Sequence, residues 1–296
     1  MPSTYKSPEA RARLADWFHR FRDRIGFETE SREVHTTAGR THVLVGGPEE
    51  GDPLVALHGQ LASSAHAMAE LAPLFERFRV YAVDIVGQSP MSHDELLPVH
   101  DDAYGTWLVE VMDELGIASA HVVGVSFGGF VALRLAVVAP DRIRRLALLV
   151  PAGVVGSHWS GWVRIGLPLT AWLLCPSEAR LRRALAPMMS TPDEAWVAYM
   201  GDAFRSVELT RMRIPSLVQA GELQGLAAPT LVLAGDEDLS FPGPAVIERL
   251  QSVLPSLADS ELLPGCRHLP PTTDAFRQRL SGRITRFLSS GGQSIP

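Results

Sequence analysis

Apolar positions along the chain change period repeatedly, and each change marks a new element. From Ser7 to Phe27 the residues Leu14, Trp17, Phe18, Phe21 and Ile25 recur at helical spacing, with Arg and Asp on the other face, which predicts an amphipathic helix. Its simplest reading is a helix docked on the domain core, with membrane or partner binding as the alternative. Strands are predicted near residues 32–37, 40–46, 53–58, 79–84, 120–125, 145–151, 230–235 and 259–263. The middle ones, such as PLVALHG, HVVGVS and LALLV, are continuous apolar runs, as strands buried on both faces require. Helical patterns fall at 64–76, 101–115 and 127–138; in the second, Tyr104, Trp107, Leu108, Val111, Met112 and Leu115 share one face. A last helix starts after Pro270-Pro271, capped by Thr272 or Thr273, and runs to about Leu288. Strand and helix in alternation predict an α/β architecture, a mostly parallel eight-stranded sheet with helices on both faces.

One segment breaks this rhythm. Residues 153–227 contain no convincing strand but several helix starts: Ser177 before EARLRRAL, and Thr191 followed by Pro192, Asp193 and Glu194. They read as a helical insertion, a cap or lid over the C-terminal edge of the sheet. The chain then divides into an N-terminal helix (1–30), a core from 31–152 and 228–290, the cap (153–227) and a disordered tail (291–296). Within the cap, IGLPLTAWLLC at 165–175 is too short to span a bilayer and carries a proline, so it predicts a buried or cleft-lining helix.

Composition narrows the function classes. Nearly half the residues are apolar and a fifth are charged, ordinary for a compact soluble protein. The net charge of −6 lacks the clustered Lys and Arg excess with which nucleic-acid binders meet phosphate. Cys175 and Cys266 make no disulfide framework and have no metal-ligand spacing, and nothing else in the sequence asks for a cofactor. The first residues lack the apolar stretch of a signal peptide and no segment is long enough to span a membrane, which points to the cytoplasm.

Candidate chemistry lies at the ends of predicted strands. GVSFGG at 124–129 follows a strand and opens a helix, the setting of a G-x-S-x-G nucleophile elbow, in which Gly124 and Gly128 leave room for a tight turn that lifts Ser126 out of the sheet. A serine hydroxyl needs an adjacent base, itself oriented by a carboxylate, and this elbow predicts the order Ser, acid, His. Only His268, in LLPGCRHLPP, lies beyond the last candidate acid. For the acid, PTLVLAGDEDLSFP offers a loop at the end of a buried strand, where Asp238 is favoured and Asp236 is the runner-up; the other usual place, PAGVVG after the 145–151 strand, holds no carboxylate. An oxyanion needs N–H donors, and the amides of Phe127 and of Gln60 in LHGQLASS are the candidates. His58 precedes the nucleophile and reads as a brace for that loop, Asp84 as a turn-fixing residue, and Cys266 as packing. Most of the cap's large apolar residues, Trp159, Trp162, Trp172, Met188, Met189, Trp196 and Met200, are read as its own packing, with some lining a substrate pocket.

Together HGQLASS, DIVGQS, GVSFGG, GDEDLSFP and GCRH occur in the order and spacing of the α/β-hydrolase superfamily, which the chain resembles from about residue 32 to 288. GRTHVLVGGPEEGDPLVALHG, YAVDIVGQSP and ELGIASAHVVGVSFGG look more narrowly like bacterial carboxylesterases of the naproxen-esterase type. The resemblance implies the α/β-hydrolase fold and cofactor-free hydrolysis of small to medium carboxylic esters through an acyl-enzyme, with Ser126, Asp238 and His268 as the triad. Arg267 departs from the glycine that often precedes the histidine in such families, and the cap does not align. The partner implied is a small-molecule ester, and homo-oligomerisation is left open. The same triad also serves short-peptide aminopeptidases, lactonases, carbon–carbon bond hydrolases and perhydrolases, and a non-catalytic ligand-binding protein is the rival from another class. A cap carboxylate anchoring a substrate ammonium, with Asp193, Glu194 and Asp202 as candidates, would favour the peptidase.

Overall fold

Strands form at all eight places where the apolar runs predict them. A computed structural model of the chain describes residues 3–156 and 159–290, with only the backbone described for residues 159, 160 and 162. The tail assigned to 291–296 lies outside the described residues. The strands are β1 (Thr29–Thr36), β2 (Gly39–Gly46), β3 (Asp52–Leu57), β4 (Phe78–Val83), β5 (Ala120–Val125), β6 (Ile143–Leu149), β7 (Thr230–Gly235) and β8 (Leu257–Leu263). They make one sheet in the order β1-β2-β4-β3-β5-β6-β7-β8. The β1–β2 and β2–β4 pairs are antiparallel and the remaining pairs parallel. Every residue of β7 is buried, which is why that strand is apolar throughout rather than alternating.

Parallel strands need crossover connections, and helices supply them on both faces. The elements are α1 (Pro8–Arg22), α2 (Ser64–Glu70), α3 (Ala103–Glu114), α4 (Phe127–Val138), α5 (Trp159–Leu174), α6 (Glu178–Leu185), α7 (Glu194–Ser206), α8 (Gly243–Val253) and α9 (Asp274–Ser289). One apolar core joins the sheet to α1, α2, α7 and α9, and the other joins it to α3, α4 and α8. Ser7 caps α1 by accepting from the Ala10 amide, and Thr273 caps α9 by accepting from Phe276. The helix predicted over 64–76 splits instead: α2 ends at Glu70 and a short 3₁₀ turn follows at Ala72–Glu76, because Pro73 has no N–H to continue the ladder. α8 escaped the sequence reading. Its opening Pro242-Gly243-Pro244 looks like a turn and hides the buried positions Val246, Leu250 and Val253, although proline is well tolerated in a first helical turn.

Between β6 and β7 lie α5, α6 and α7. Ser177 caps α6 by accepting from Arg180, and Asp193, rather than Thr191, caps α7 by accepting from Trp196. Trp17 and Phe21 of α1 pack against Tyr199 of α7, and an isolated bridge joins Tyr5 to Val207, so the N-terminal helix is bound to this insertion as well as to the sheet. The expectation that 165–175 forms a buried or cleft-lining helix holds for one side of α5 and not for the other. Trp172 is buried and Leu169 lines a cleft, but Leu167 and Leu174 are 66% and 82% exposed, because only one side of α5 finds protein to pack on.

Candidate active site

The C-terminal edge of the sheet gathers three non-glycine residues in the left-handed region: Leu61 (φ 57°), Ser126 (φ 50°) and Val150 (φ 42°). Such conformations cost roughly 1–3 kcal/mol each and persist where the surroundings enforce them. At Ser126 the enforcement is steric. A Cβ on Gly124 would meet the Gly128 oxygen at 2.6 Å, and one on Gly128 would meet the Leu57 oxygen at 2.3 Å. The turn between β5 and α4 is therefore packed to the backbone, and Ser126 stands at the helix start with its side chain in a cavity.

Ser126 Oγ lies 2.9 Å from His268 Nε2, and His268 Nδ1 lies 2.9 Å from Asp238 Oδ2. Asp238 is buried, and its other oxygen accepts from the Ser240 and Phe241 amides at 2.7 and 3.0 Å, which keeps the carboxylate aimed at the ring. A carboxylate on Nδ1 fixes the tautomer with Nδ1–H, leaving Nε2 free to accept from the serine. The neighbouring acids are engaged elsewhere: Asp236 accepts from the Cys266 amide at 3.1 Å, and Glu237 pairs with Arg267 at 3.1 Å. Arg267 also donates to the carbonyls of Ala186 and Met189, and its amide donates to Ser190 Oγ. The residue that departs from the family pattern thus ties the histidine loop to the helical insertion.

Gly59 sits against the serine; a Cβ there would lie 3.4 Å from Ser126 Cβ. Gln60 and Phe127 line the same cavity, and neither amide donates to another described residue. Tyr199 donates through its hydroxyl to the Leu61 carbonyl and so holds this loop from α7. The buried His58 accepts from the Ile85 amide at Nε2 (2.9 Å) and lies 2.7 Å from the Gly59 carbonyl at Nδ1, a bracing position away from the serine. Burial lowers its pKa. Beneath the loop, the buried Asp84 accepts from the Ser64 amide and hydroxyl and from Ser89, and meets His42 Nδ1 at 2.7 Å. Burial alone would raise its pKa, but hydrogen bonds and the nearby His42 and His58 bring it down to about 2. Burial pushes the Cys266 thiol up to about 12, which disfavours the thiolate.

The cavity around Ser126 has a volume of about 450 Å³ and mostly apolar walls, among them Leu61, Leu169, Met200, Phe204, Met212 and Phe241. Of the insertion's large side chains, Met188, Trp196 and Met200 reach it, Trp172 and Met189 are buried, and the side chains of Trp159 and Trp162 lie outside the description. Its one carboxylate among the described residues, Glu70, is paired with Arg277 at 2.9 Å and accepts from Trp196 Nε1 at 2.8 Å. Asp193 pairs with Arg24, Glu194 with Arg182, and Asp202 accepts from Trp17; none of them lines the cavity. Several wall residues went unread in the sequence, His66 and Glu70 among them. His66 and Glu70 share one face of α2 at i, i+4, a spacing that would have found them; His66 is buried beside Ser63, and burial lowers its pKa well below the usual imidazole value. Among the described residues, no helix is long and apolar enough to cross a membrane.

Residues 52–275 match the model of the α/β hydrolase fold family. The chain is similar to an uncharacterised carboxylesterase, nap, of Bacillus subtilis (28% identity over 80% of this chain and 79% of that one). It is also similar to the carboxylesterase YbfK of the same organism (27% identity over 89% of each). The solved structure of naproxen esterase from Bacillus subtilis superposes with a TM-score of 0.81, covering 96% of this chain and all of that one at 24% identity, which establishes likeness of fold.

Proposed function

The chain belongs to the α/β-hydrolase fold family, and from that premise we propose that it is a carboxylesterase acting on small to medium esters through a covalent acyl-enzyme. The observation that carries the reading is the unbroken relay from Ser126 Oγ through His268 to Asp238, with both links at 2.9 Å, opening into an apolar cavity.

The steps follow from the positions of the groups. His268 Nε2 takes the Ser126 proton as Oγ attacks the ester carbonyl, and Asp238 stabilises the imidazolium that results. The Gln60 and Phe127 amides receive the oxyanion, a duty for which donors without other partners are preorganised. Collapse of the tetrahedral intermediate breaks the bond to the alkoxy oxygen, and His268 returns its proton to the departing alcohol. Water, deprotonated in turn by His268, then attacks the acyl-enzyme and releases the acid and free Ser126. The mostly apolar walls favour an apolar acyl or alcohol group, Arg213 is a wall cation with no carboxylate partner among the described residues, and the cap carboxylates that a peptidase would need for a substrate ammonium are engaged away from the cavity.

The test is hydrolysis of p-nitrophenyl esters from acetate to long acyl chains, with labelling by a fluorophosphonate. The expected outcome is turnover greatest at short to medium chains, with labelling and turnover both lost in Ser126→Ala, whose rate falls by several orders of magnitude. Labelling without turnover on any ester would move the reading to another reaction of the same triad. Absence of both would leave a binding protein.

A further inference from the structure

Nine large apolar side chains among the described residues are exposed, and six of them, Val163, Leu167, Leu173, Leu174, Ile214 and Leu217, belong to the segment between β6 and β7. On α5, Val163, Leu167 and Leu174 stand at i, i+4 and i+11 and so form one stripe along the outer face. The opposite side of the same helix turns Trp172 into the protein and Leu169 to the catalytic cavity. Ile214, 62% exposed, is also part of the cavity wall, as is Leu169 of α5 itself. A cluster of exposed apolar side chains in the segment that also walls an apolar cavity is unusual for a freely dissolved protein and marks a place of contact.

The charges around the stripe identify the partner. The segment 153–227 carries seven arginines against six carboxylates, in a chain whose net charge is −6. Arg182 is taken up by Glu178 and Glu194, whereas the exposed Arg164, Arg180, Arg183 and Arg213 have no carboxylate within ion-pair distance among the described residues. An apolar stripe whose own helix and the next carry uncompensated arginines is the pattern that settles on an anionic lipid surface, where the apolar side chains enter the headgroup boundary and the cations meet phosphate. A second copy docked on the same face by two-fold symmetry would set these arginines against one another. We propose that the outer face of α5, with the irregular segment at 213–217, docks the protein on an anionic lipid surface and places the mouth of the catalytic cavity against it. The docking is independent of the ester-cleaving reading; only its use, access to esters held in a lipid layer, rests on that reading.

Cys175 follows Leu174 and is exposed, while Cys266 is buried, so an environment-sensitive fluorophore on Cys175 reports from the edge of the stripe. The measurement is its emission, together with co-sedimentation, on vesicles of phosphatidylglycerol or phosphatidylcholine. It is repeated in the Ser126→Ala background to keep hydrolysis out of the readout. The expected result is a blue shift and co-sedimentation on phosphatidylglycerol, weakened by salt, and on the order of tenfold weaker or more in Leu167→Glu/Leu174→Glu. That variant keeps the p-nitrophenyl acetate activity of the parent, and Leu174→Ser gives a milder second reading if the double change disturbs folding. No shift on phosphatidylglycerol, equal binding to phosphatidylcholine, or full binding by both variants would overturn the proposal. Self-association abolished by the same changes, seen by analytical ultracentrifugation without lipid, would also overturn it by assigning the face to a second copy.

Discussion

Asp236 and Asp238 stand two residues apart on one loop and differ in what they hold. Asp238 faces His268 and has its second oxygen fixed by two amides, while Asp236 accepts from the Cys266 amide and braces the loop that carries the histidine. Asp238→Asn keeps the size but presents an amide to Nδ1, so the ring is no longer held in the productive tautomer, and kcat on p-nitrophenyl acetate should fall by about three to four orders of magnitude. Asp236→Asn keeps an acceptor for Cys266 and should stay within a few-fold of the parent; comparable losses in both would reassign the acid. Ser126 and His268 were legible in the sequence as candidates because elbow spacing and chain order are one-dimensional properties, and the fold brings the two side chains to 2.9 Å of each other. The loop's sequence favours Asp238 over Asp236 without a geometric reason, since which amide each oxygen accepts from depends on the loop's path in three dimensions. For the same reason Arg267 was legible only as a departure from a pattern and not as a tie to Ala186 and Met189.

At the scale of elements, the elbow is the part with least freedom. Adding one methyl at Gly128 brings Cβ to 2.3 Å from the Leu57 carbonyl, and both partners are backbone at the junction of β3, β5 and α4. Gly128→Ala should lower the thermal midpoint by several degrees or prevent folding, as overpacking against backbone leaves nothing to yield. Gly282→Ala in α9 is the control: its Cβ would meet only the flexible end of Arg286 at 3.5 Å, and the change should stabilise by about 0.5–1 kcal/mol. Differential scanning fluorimetry of the two variants decides it, and equal midpoints would refute the steric account of the elbow. The strands were readable because burial on both faces writes continuous apolar runs into the sequence. α8 and the break after α2 were not, because proline opens one helix and ends the other. The outward face of α5 was missed because an apolar helix looks the same in sequence whether it is buried on one side or on all.

Stability of the whole molecule should fall in two steps as pH drops, each traceable to a buried group. His58 and His66 are held neutral by burial, with pKa values below the usual 6.5. The unfolded chain therefore takes up protons first as pH falls through about 6.5, and the folded state loses ground from there. Asp84 acts lower. Its pKa of about 2 lies below the ordinary 3.8, so it contributes stability above pH ~4 that is lost as pH falls through about 2, roughly 2–2.5 kcal/mol in all. Because Asp84, just after β4, links the middle of β2 to the start of α2, protonating it loosens the support beneath the Gln60 loop rather than one surface contact. Urea midpoints at pH 8, 5 and 3 should decline at each interval. His66→Phe, which keeps a ring between Phe21 and Tyr199 but cannot titrate, should flatten the decline from pH 8 to 5 and leave the one from 5 to 3 unchanged. A variant whose pH 8 to 5 decline matched the parent's would show that burial of His66 does not set the first step.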